Sequence, residues 1–438
     1  MKKIKRENKY IIEESQEINL GETLGWEAKI LKAFPAFKYK NYRLFFSGQL
    51  ISLVGTWLQI VALGWLVLKL TNSAFWVGTI SALSLLPVLI FGIFGGVIVD
   101  RYNKKTLLYI TQTLSMIFAL ILGFLTVFNL INLWEIGILA FLLGTVSALD
   151  HPARQTFVVE MVGKEDLASA IALNSTTFNA SRVIGPGVAG ILIKLIGTGG
   201  TFILNGLSFI AVIIALSLIK VNKELPKVHP HPIAAIKEGL HYSFTHPVIK
   251  MLLIFSAVTS IFGWSYTTIL PVIVQNIYHK DAAALGYLYS ATGLGALLSA
   301  FIVSAYSKKI NPLVFILLGN TVFAASLMLF SITKIFLLAL PILFISGAGL
   351  IMQFSMINTT IQHMVSDNIR GRVLGIYTLM FLGMAPFGSF QIGIVADRFG
   401  SPFAIQLGAL IVFAYGTYVY LNRERVRLSY KNYISKNS

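Results

Sequence analysis

The chain is a series of long apolar runs that short polar segments separate. A helix needs roughly 20 consecutive apolar residues to cross a bilayer, whereas the strands of a membrane barrel would alternate over about ten residues. The unbroken runs therefore predict an all-α polytopic membrane protein. We place twelve spans, at 44–68, 75–99, 106–129, 133–150, 168–196, 201–219, 248–276, 284–305, 312–332, 335–357, 371–396 and 402–421.

Composition agrees with this pattern. Of 438 residues 56% are hydrophobic and only 12% are charged, with a mean hydropathy of +0.76, whereas soluble domains carry roughly 25% charged residues. So much apolar surface requires lipid as its solvent. We expect no cleavable signal peptide, because the first forty residues are polar and charged. The absence of cysteine excludes disulfides and thiolate metal sites.

The net charge of +17 is unevenly placed. With twelve spans both termini lie on one side, and most of the 35 Lys and Arg residues fall on that side. Positive charge marks cytoplasmic loops, so we expect a multi-pass protein of the cell (inner) membrane with both termini in the cytoplasm. Anionic lipid headgroups, rather than nucleic acid, are the expected partner of this charge.

The longest internal polar segment divides the chain into two groups of six spans. We expect a cytoplasmic N-terminal segment, a first six-helix bundle, a cytoplasmic linker with an amphipathic helix, a second bundle and a cytoplasmic tail, at 1–43, 44–220, 221–247, 248–422 and 423–438.

The linker contains four histidines that could suggest a metal site: His229, His231, His241 and His246. The pattern favours a solvated linker followed by a surface helix instead. His-Pro-His-Pro cannot place two ligands on one helical face, and no carboxylate cluster accompanies it. We therefore expect neither a metal nor a cofactor.

The halves repeat each other. FGGVIVDRYNKK at Phe94–Lys105 returns as SAFIVSAYSKK at Ser299–Lys309, without the charged Asp-Arg pair. Parallel repeats of this kind are typical of transporters, whose substrate site lies near the midplane between the halves. Repetition alone would also fit a channel.

The segment Gly96–Lys105 resembles the signature loop of the major facilitator superfamily, which reads Gly, three apolar residues, Asp-Arg, any residue, Gly and two bases. Asn103 replaces the usual Gly, and since Asn tolerates the left-handed conformation we expect the turn to be kept. Other segments are similar to the subgroup of the enterobactin exporter and macrolide efflux proteins: HPARQTFVVEMV, LASAIALNSTTFNASRVIGPGVAG and RGRVLGIYTLMFLGMAPFGS…VADRFG. The likeness covers about residues 34–422.

The resemblance implies two pseudo-symmetric six-helix bundles that rock about a central crevice. It also implies that Asp100 is held at the start of span eleven when the cytoplasmic side is closed, since a helix N-terminus stabilises a carboxylate. The bases after it would pair with Asp150, taken as the end of span four; they are Arg101, Lys104 and Lys105. These five residues are the predicted cytoplasmic gate. The alternative is that they only set topology.

The resemblance further implies that spans one, four, seven and ten line the substrate cavity. Span one carries one polar stripe on one helix face, formed by Gln49, Ser52, Thr56 and Gln59. Spans seven and ten offer further cavity candidates, namely Trp264, Thr267 and Gln353. The alternative is that small and polar residues here mediate close helix packing.

Arg182 is the basic residue deep inside a span, and Ser175 and Asn179 share its helix face. A charge at this depth costs a few kcal/mol unless it is paired or hydrated, so the side chain should face the protein interior. It would either bind an anionic substrate or form a structural pair with a carboxylate or a helix end.

Proton coupling needs a carboxylate whose pKa the surroundings can shift. Span one has no Asp or Glu, unlike many drug/proton antiporters of the superfamily. Candidates lie at span edges, with Glu135 the first choice before Asp150, Glu160 and Asp397. The proton as driving ion is thus implied by the resemblance alone.

The best-supported function is a monomeric, secondary active exporter of amphiphilic small molecules, such as drugs or siderophores. Alternatives on the same fold are lipid or lysophospholipid translocation and nutrient uptake; a sensor or a membrane enzyme would be another class. Against that class, the sequence has no nucleophile elbow and no Walker-type loop, and the longest loop is short.

Overall fold

The structure is a computed structural model that describes Lys29 and residues 31–220, 232–306, 310–425 and 428, without the side chains of 93–97, 100 and 232–236. Within these residues, eleven helices are long and apolar enough to cross a membrane. One of them, Leu167–Leu218, contains a break at Gly197 and supplies two spans. The prediction of an all-α protein with many membrane spans is confirmed.

The helices follow the predicted order of spans. The first six spans are Lys40–Thr71, Ala74–Arg101, Lys104–Val127, Leu133–Val162 and the two parts of Leu167–Leu218. Pro232–Thr245 is a short helix in the linker. The last six spans lie within Pro247–Asn276, Ala282–Tyr306, Pro312–Ile332, Phe336–Met364, Asp367–Phe399 and Ser401–Leu421.

Span four differs from its predicted bounds, since the helix continues to Val162 rather than ending at Asp150. The polar sequence around Pro152 imitates a helix end, but the helix accommodates this proline. Asp150 is consequently buried inside the bundle, at 4% exposure. Spans five and six turn at Gly197, whose φ of 73° is a backbone conformation that glycine adopts without steric cost.

The turn between spans two and three also differs from expectation. Asn103 has a φ of −63° and is not left-handed. Its side chain instead accepts a hydrogen bond from the backbone N–H of Thr106 at 3.0 Å and caps span three. Asn at this position therefore has a capping role that Gly could not supply.

The halves pack by two equivalent pairs of spans. Span two contacts span eleven, and span eight contacts span five. Because spans two and eight hold corresponding places in their halves, as do five and eleven, the two contacts are related by pseudo-twofold symmetry. We call the end of the bundle with Lys40, Lys104 and Arg372 the basic end, and the opposite end the sealed end, for the contacts described below.

Two spans of the second half are not regular helices. Span seven contains a π turn at Thr259–Gly263 and a 3₁₀ segment at Trp264–Ile269, and span eleven contains a π turn at Leu379–Gly383. Such turns leave backbone groups without their usual partners and are frequent at functional sites. They lie side by side, because Ser260 Oγ donates to the carbonyl oxygen of Phe381 at 2.6 Å.

Candidate functional site

The halves meet backbone to backbone at the sealed end. Gly78 of span two lies against Gly393 of span eleven, so that a Cβ added at Gly78 would fall 2.7 Å from the Cα of Gly393. In the equivalent pair, a Cβ at Gly190 of span five would fall 2.4 Å from the carbonyl oxygen of Ala282 in span eight. These contacts form a seam too tight for any side chain, and a solute cannot pass through it.

Polar contacts join the halves along the same seam. The carboxylate of Asp397 accepts hydrogen bonds from Ser73 Oγ at 2.8 Å and from the backbone N–H of Phe75 at 3.2 Å. Both donors belong to the first turn of span two, and a carboxylate at a helix N-terminus is stabilised by the free N–H groups and the helix dipole. Nearby, Lys194 Nζ lies 3.3 Å from Asp281 Oδ2.

Contacts between the halves reach as far as the middle of the spans. Ser290 of span eight donates to the carbonyl oxygen of Val183 at 2.6 Å. At the basic end, by contrast, the ion pairs found between described residues do not join the halves; Lys104 and Glu160, for example, pair at 3.3 Å within the first half. From this distribution of contacts we infer that the space between the halves is a crevice that opens towards the basic end.

Asp150 is bound by residues of spans three and four instead of its predicted partners in the turn between spans two and three. Asp150 Oδ1 accepts hydrogen bonds from Thr111 Oγ1 and Gln112 Nε2, both at 2.7 Å. Its other oxygen forms an ion pair with Arg154, one turn along the same helix, and Arg154 also donates to Gln49 of span one. The extension of span four brings Arg154 within reach, so the expected pair of Asp150 with a base of the span two–three turn is not formed.

The other residues of the predicted gate are spread over the basic end. Lys104 pairs with Glu160, and Lys105 donates to a backbone carbonyl at the end of span six at 2.7 Å. Arg101 is exposed. The side chain of Asp100 lies outside the described residues, as do His229 and His231 of the linker and Lys308 and Lys309 of the repeated turn. In this conformation the basic residues hold the first half together.

The polar stripe of span one is only partly open to the crevice. Gln49 and Ser52 are 6% and 0% exposed, because this face packs closely on its own half. Gln59 is half-buried and accepts a hydrogen bond from Asn205 of span six. Thr56 is exposed, with its hydroxyl bonded to the backbone of its own helix. The packing alternative therefore describes Gln49 and Ser52, which is a correction to their predicted cavity role.

In the second half, aromatic rings cluster around the two π turns. The half-buried Trp264 stacks on Phe381 with ring centroids 4.9 Å apart and planes at 16°. Phe381 also contacts Phe354 of span ten at 4.1 Å. Gln353 is fully buried behind them, with its amide donating to Thr259 Oγ1 at 2.8 Å. Gln353 is thus a packing residue here, which corrects its predicted place in the cavity.

Thr267 and Arg182 lie at the same level of the crevice. Thr267 is half-buried, and its hydroxyl donates to the carbonyl oxygen of Trp264 at 2.9 Å. Arg182 is half-buried in the middle of span five, where this span packs on the other half: a Cβ added at Gly293 of span eight would fall 3.0 Å from the Arg182 carbonyl oxygen. At this level span five therefore lies between span one, where Trp57 contacts Phe178, and span eight of the other half.

The chain matches the family described as "Transmembrane secretion effector" over residues 31–437. It is 29% identical over 366 residues to the staphyloferrin A transporter of Staphylococcus aureus, covering 82% of this chain and 90% of that protein. It is 25% identical over 401 residues to the enterobactin exporter EntS of Escherichia coli, covering 87% and 91%. The multidrug efflux pump Tap of Mycolicibacterium fortuitum is 25% identical over 361 residues, covering 79% and 87%.

Solved structures with this fold are transporters too. A bacterial homolog of the human lysosomal transporter Spinster, in its inward-facing conformation, superimposes with a TM-score of 0.69 at 13% identity, covering 90% of this chain and 97% of that one. The inward-open xylose transporter XylE gives a TM-score of 0.66 at 13% identity, covering 86% and 95%. These likenesses concern the fold alone.

The chain is a transmembrane secretion effector of the major facilitator superfamily. It is a multi-pass membrane transporter, with siderophore and drug efflux proteins among its relatives. The resemblance found in the signature loop and the ordered motifs is confirmed.

Glu135 has a local structural position in this transporter. Asn132 caps span four by accepting from the backbone of Trp134 and Glu135, and the Glu135 carboxylate accepts the Asn132 N–H at 2.9 Å in return. This arrangement is a capping box. The carboxylate lies at the sealed end of the transporter, away from the open side of the crevice.

Asp397 is the last of the four carboxylates considered for proton coupling, yet it forms a contact between the halves. A signal for it exists, since Asp397-Arg398-Phe399-Gly400 at the end of span eleven has the same pattern as Asp100-Arg101-Tyr102-Asn103 at the end of span two. The transporter thus carries the Asp-Arg turn once at each end of the bundle. The aromatic stack on Phe381 had no comparable signal, because its geometry depends on two π turns.

Proposed function

We propose that the protein is a proton-driven exporter that moves amphiphilic small molecules out of the cytoplasm by alternating access. The observation that carries the proposal is the crevice, which is closed by the seam and open at the basic end. The positive-inside rule supports a cytoplasmic basic end, and in an exporter the open crevice would receive its solute from inside the cell. Transport then requires the seam to open and the basic end to close.

The walls of the crevice suit a solute with both apolar and polar parts. Trp264 offers an aromatic face backed by Phe381, while Thr56, Gln59 and Thr267 offer hydroxyl and amide groups. Aromatic faces bind apolar rings, and a few polar groups fix their orientation. The names of the relatives, which include exporters of a siderophore and of drugs, support the direction.

Closure of the basic end is assigned to the predicted cytoplasmic gate. In that state Asp100 would sit at the start of span eleven, and the bases Arg101, Lys104 and Lys105 would rearrange around the buried Asp150–Arg154 pair. This proposal rests on the matching contact at the sealed end, where the Asp397 carboxylate caps the start of span two. We further propose that the protein works as a monomer among anionic lipids, with both termini in the cytoplasm.

Proton coupling is assigned to Asp150 before Glu135. Asp150 is the carboxylate that is buried among the described residues, and it touches spans one and three through its network. In Asp150→Asn, transport driven by a pH gradient should fall while exchange of labelled for unlabelled solute persists. Glu135→Gln is the matched control and should keep both. If Glu135→Gln instead loses gradient-driven transport, the coupling site is at the sealed end.

The direction is tested in everted membrane vesicles with a panel of dyes, macrolides and siderophores, with and without a pH gradient. We expect gradient-dependent accumulation for the native protein. Gly78→Ala should lose it, because the added methyl meets the backbone of span eleven. Gly371→Ala is the control, since a Cβ there meets nothing within 4 Å. Accumulation only in right-side-out vesicles would replace export by uptake.

A further inference from the structure

Arg182 sits at the midpoint of the pathway. It lies 15 residues beyond Leu167, which at 1.5 Å per residue is about 22 Å along span five from its basic end. Its backbone is fixed by the other half, since a Cβ at Gly293 of span eight would fall 3.0 Å from the Arg182 carbonyl oxygen. The Arg182 backbone is therefore held at one depth, against the other half.

The described carboxylates near the spans are engaged elsewhere. Asp150 pairs with Arg154, Asp281 pairs with Lys194, and Asp397 caps span two. Glu135 completes a capping box. No ion pair or hydrogen bond of the Arg182 guanidinium is found with any described residue. The structural pair considered from the sequence is thus missing in this conformation.

The groups around Arg182 are neutral. Tyr266 of span seven is buried nearby, and its hydroxyl is 3.4 Å from Thr292 Oγ1. On span eight, the hydroxyl of Tyr289 donates a hydrogen bond to the Thr267 carbonyl oxygen at 2.7 Å. An unpaired cation among neutral groups in a low-dielectric site attracts an anion strongly.

A polar path leads to Arg182 from the open side of the crevice. Ser175 is exposed, and Asn179 one turn further in is half-buried and bonded to the Ser175 carbonyl at 2.8 Å. Arg182 follows on the same helix face. An anionic group could remain solvated along this stripe until it reaches the guanidinium.

We propose that Arg182 is the binding site for an oxyanion, a carboxylate or a phosphate, on the transported molecule. The guanidinium fork fits such groups in bidentate fashion, which Lys cannot reproduce. The apolar part of the molecule would lie towards Trp264 and Phe381. This inference rests on the proposed function, to which it adds the charge of the substrate.

Two dyes with the same ring system and opposite charge test the inference. Fluorescein carries a carboxylate, whereas rhodamine 6G is a cation; a fluorescent lysophosphatidylglycerol is the third probe and represents lipid phosphate. Binding to the purified protein is measured by fluorescence polarisation, and accumulation is measured in everted vesicles. The variants are Arg182→Gln and Arg182→Lys, with Lys69→Gln as the control because Lys69 is an exposed cation at the sealed end of span one and lies over Trp65 of its own helix.

We expect Arg182→Gln to weaken fluorescein binding at least about tenfold while rhodamine 6G binding is unchanged or tighter. Arg182→Lys should be intermediate, and Lys69→Gln should behave as the native protein. A preference for the lysophospholipid over fluorescein would identify the oxyanion as lipid phosphate. Two results would overturn the inference. One is an equal loss of affinity for both dyes in an Arg182→Gln variant that is well inserted in the membrane; the other is a native protein that binds rhodamine 6G but not fluorescein.

The two proposals fail in different ways. If fluorescein binding depends on Arg182 but no probe accumulates in everted vesicles, the anion site stands and the proposed export does not. If rhodamine 6G accumulates and fluorescein neither binds nor accumulates, export stands and the anion site is wrong.

Discussion

Removal of the Asp397 carboxylate should open the sealed end. In Asp397→Ala, the transporter loses the hydrogen bonds from Ser73 Oγ and from the Phe75 N–H, which join span eleven to span two. Hydrogen bonds to a charged acceptor contribute about 1.5–3 kcal/mol each, and solvent exposure of Asp397 reduces this to about 1 kcal/mol each. The loss of about 2 kcal/mol shifts the balance of open and closed states about 30-fold.

The lack of native cysteines provides the assay. Ser389 lies in the seam beside Gly78 and is 3% exposed, so a cysteine placed there reacts with a membrane-impermeant maleimide only when the sealed end opens. The Ser389→Cys labelling rate should rise about 30-fold with Asp397→Ala. Asp397→Asn keeps a neutral acceptor and should raise it by about half of that free energy, or fivefold.

The control is Asp367→Ala, which removes an exposed carboxylate from the basic end of the same span. Its labelling rate should equal that of the parent. Equal rates in Asp397→Ala and Asp367→Ala would refute the reasoning, because the seam would then be held by backbone packing alone.

Three further results are expected. Asp100→Asn should impair transport while membrane insertion, followed by a fused fluorescent reporter, stays normal; native transport would remove the gate. Asp150→Asn leaves the half-buried Arg154 without its partner and should lower stability by about 2 kcal/mol, whereas Glu135→Gln should cost less than about 1 kcal/mol. Thermal unfolding in detergent checks both, and equal costs would contradict the burial argument. Trp264→Ala should raise the KM for aromatic solutes about fivefold through loss of ring stacking, and the KM of Trp264→Phe should lie closer to the native value. Transport kinetics measure both, and a native KM in Trp264→Ala would contradict the role of this ring.

The order of the spans could be predicted because crossing a bilayer imposes an apolar run of fixed length. The end of span four could not, since Asp150 and Pro152 look like a helix terminus until the partners Thr111 and Gln112 on span three are known. The same dependence on tertiary structure affected Gln49, whose partner Arg154 is distant in sequence.

The seam was also invisible in the sequence. The chain has 36 glycines, and nothing local distinguishes Gly78 and Gly393 from glycines that meet open space, such as Gly371. Arg182 could be identified, because a lone charge in an apolar span is conspicuous whatever surrounds it. Whether a carboxylate of the protein pairs with Arg182 could not be predicted, because the answer requires the position of every acidic side chain.

The glycine seam has a consequence for the speed of transport. Where two helices touch through main chain alone, they separate without any side chain having to leave its rotamer or find a new cavity. The activation barrier to opening is then set by the few polar contacts at the rim of the seam, namely Ser73–Asp397 and Lys194–Asp281. Each of these contacts can be strengthened or weakened by a single substitution. Turnover in this protein should therefore be tunable at the rim with the solute-binding surface left untouched.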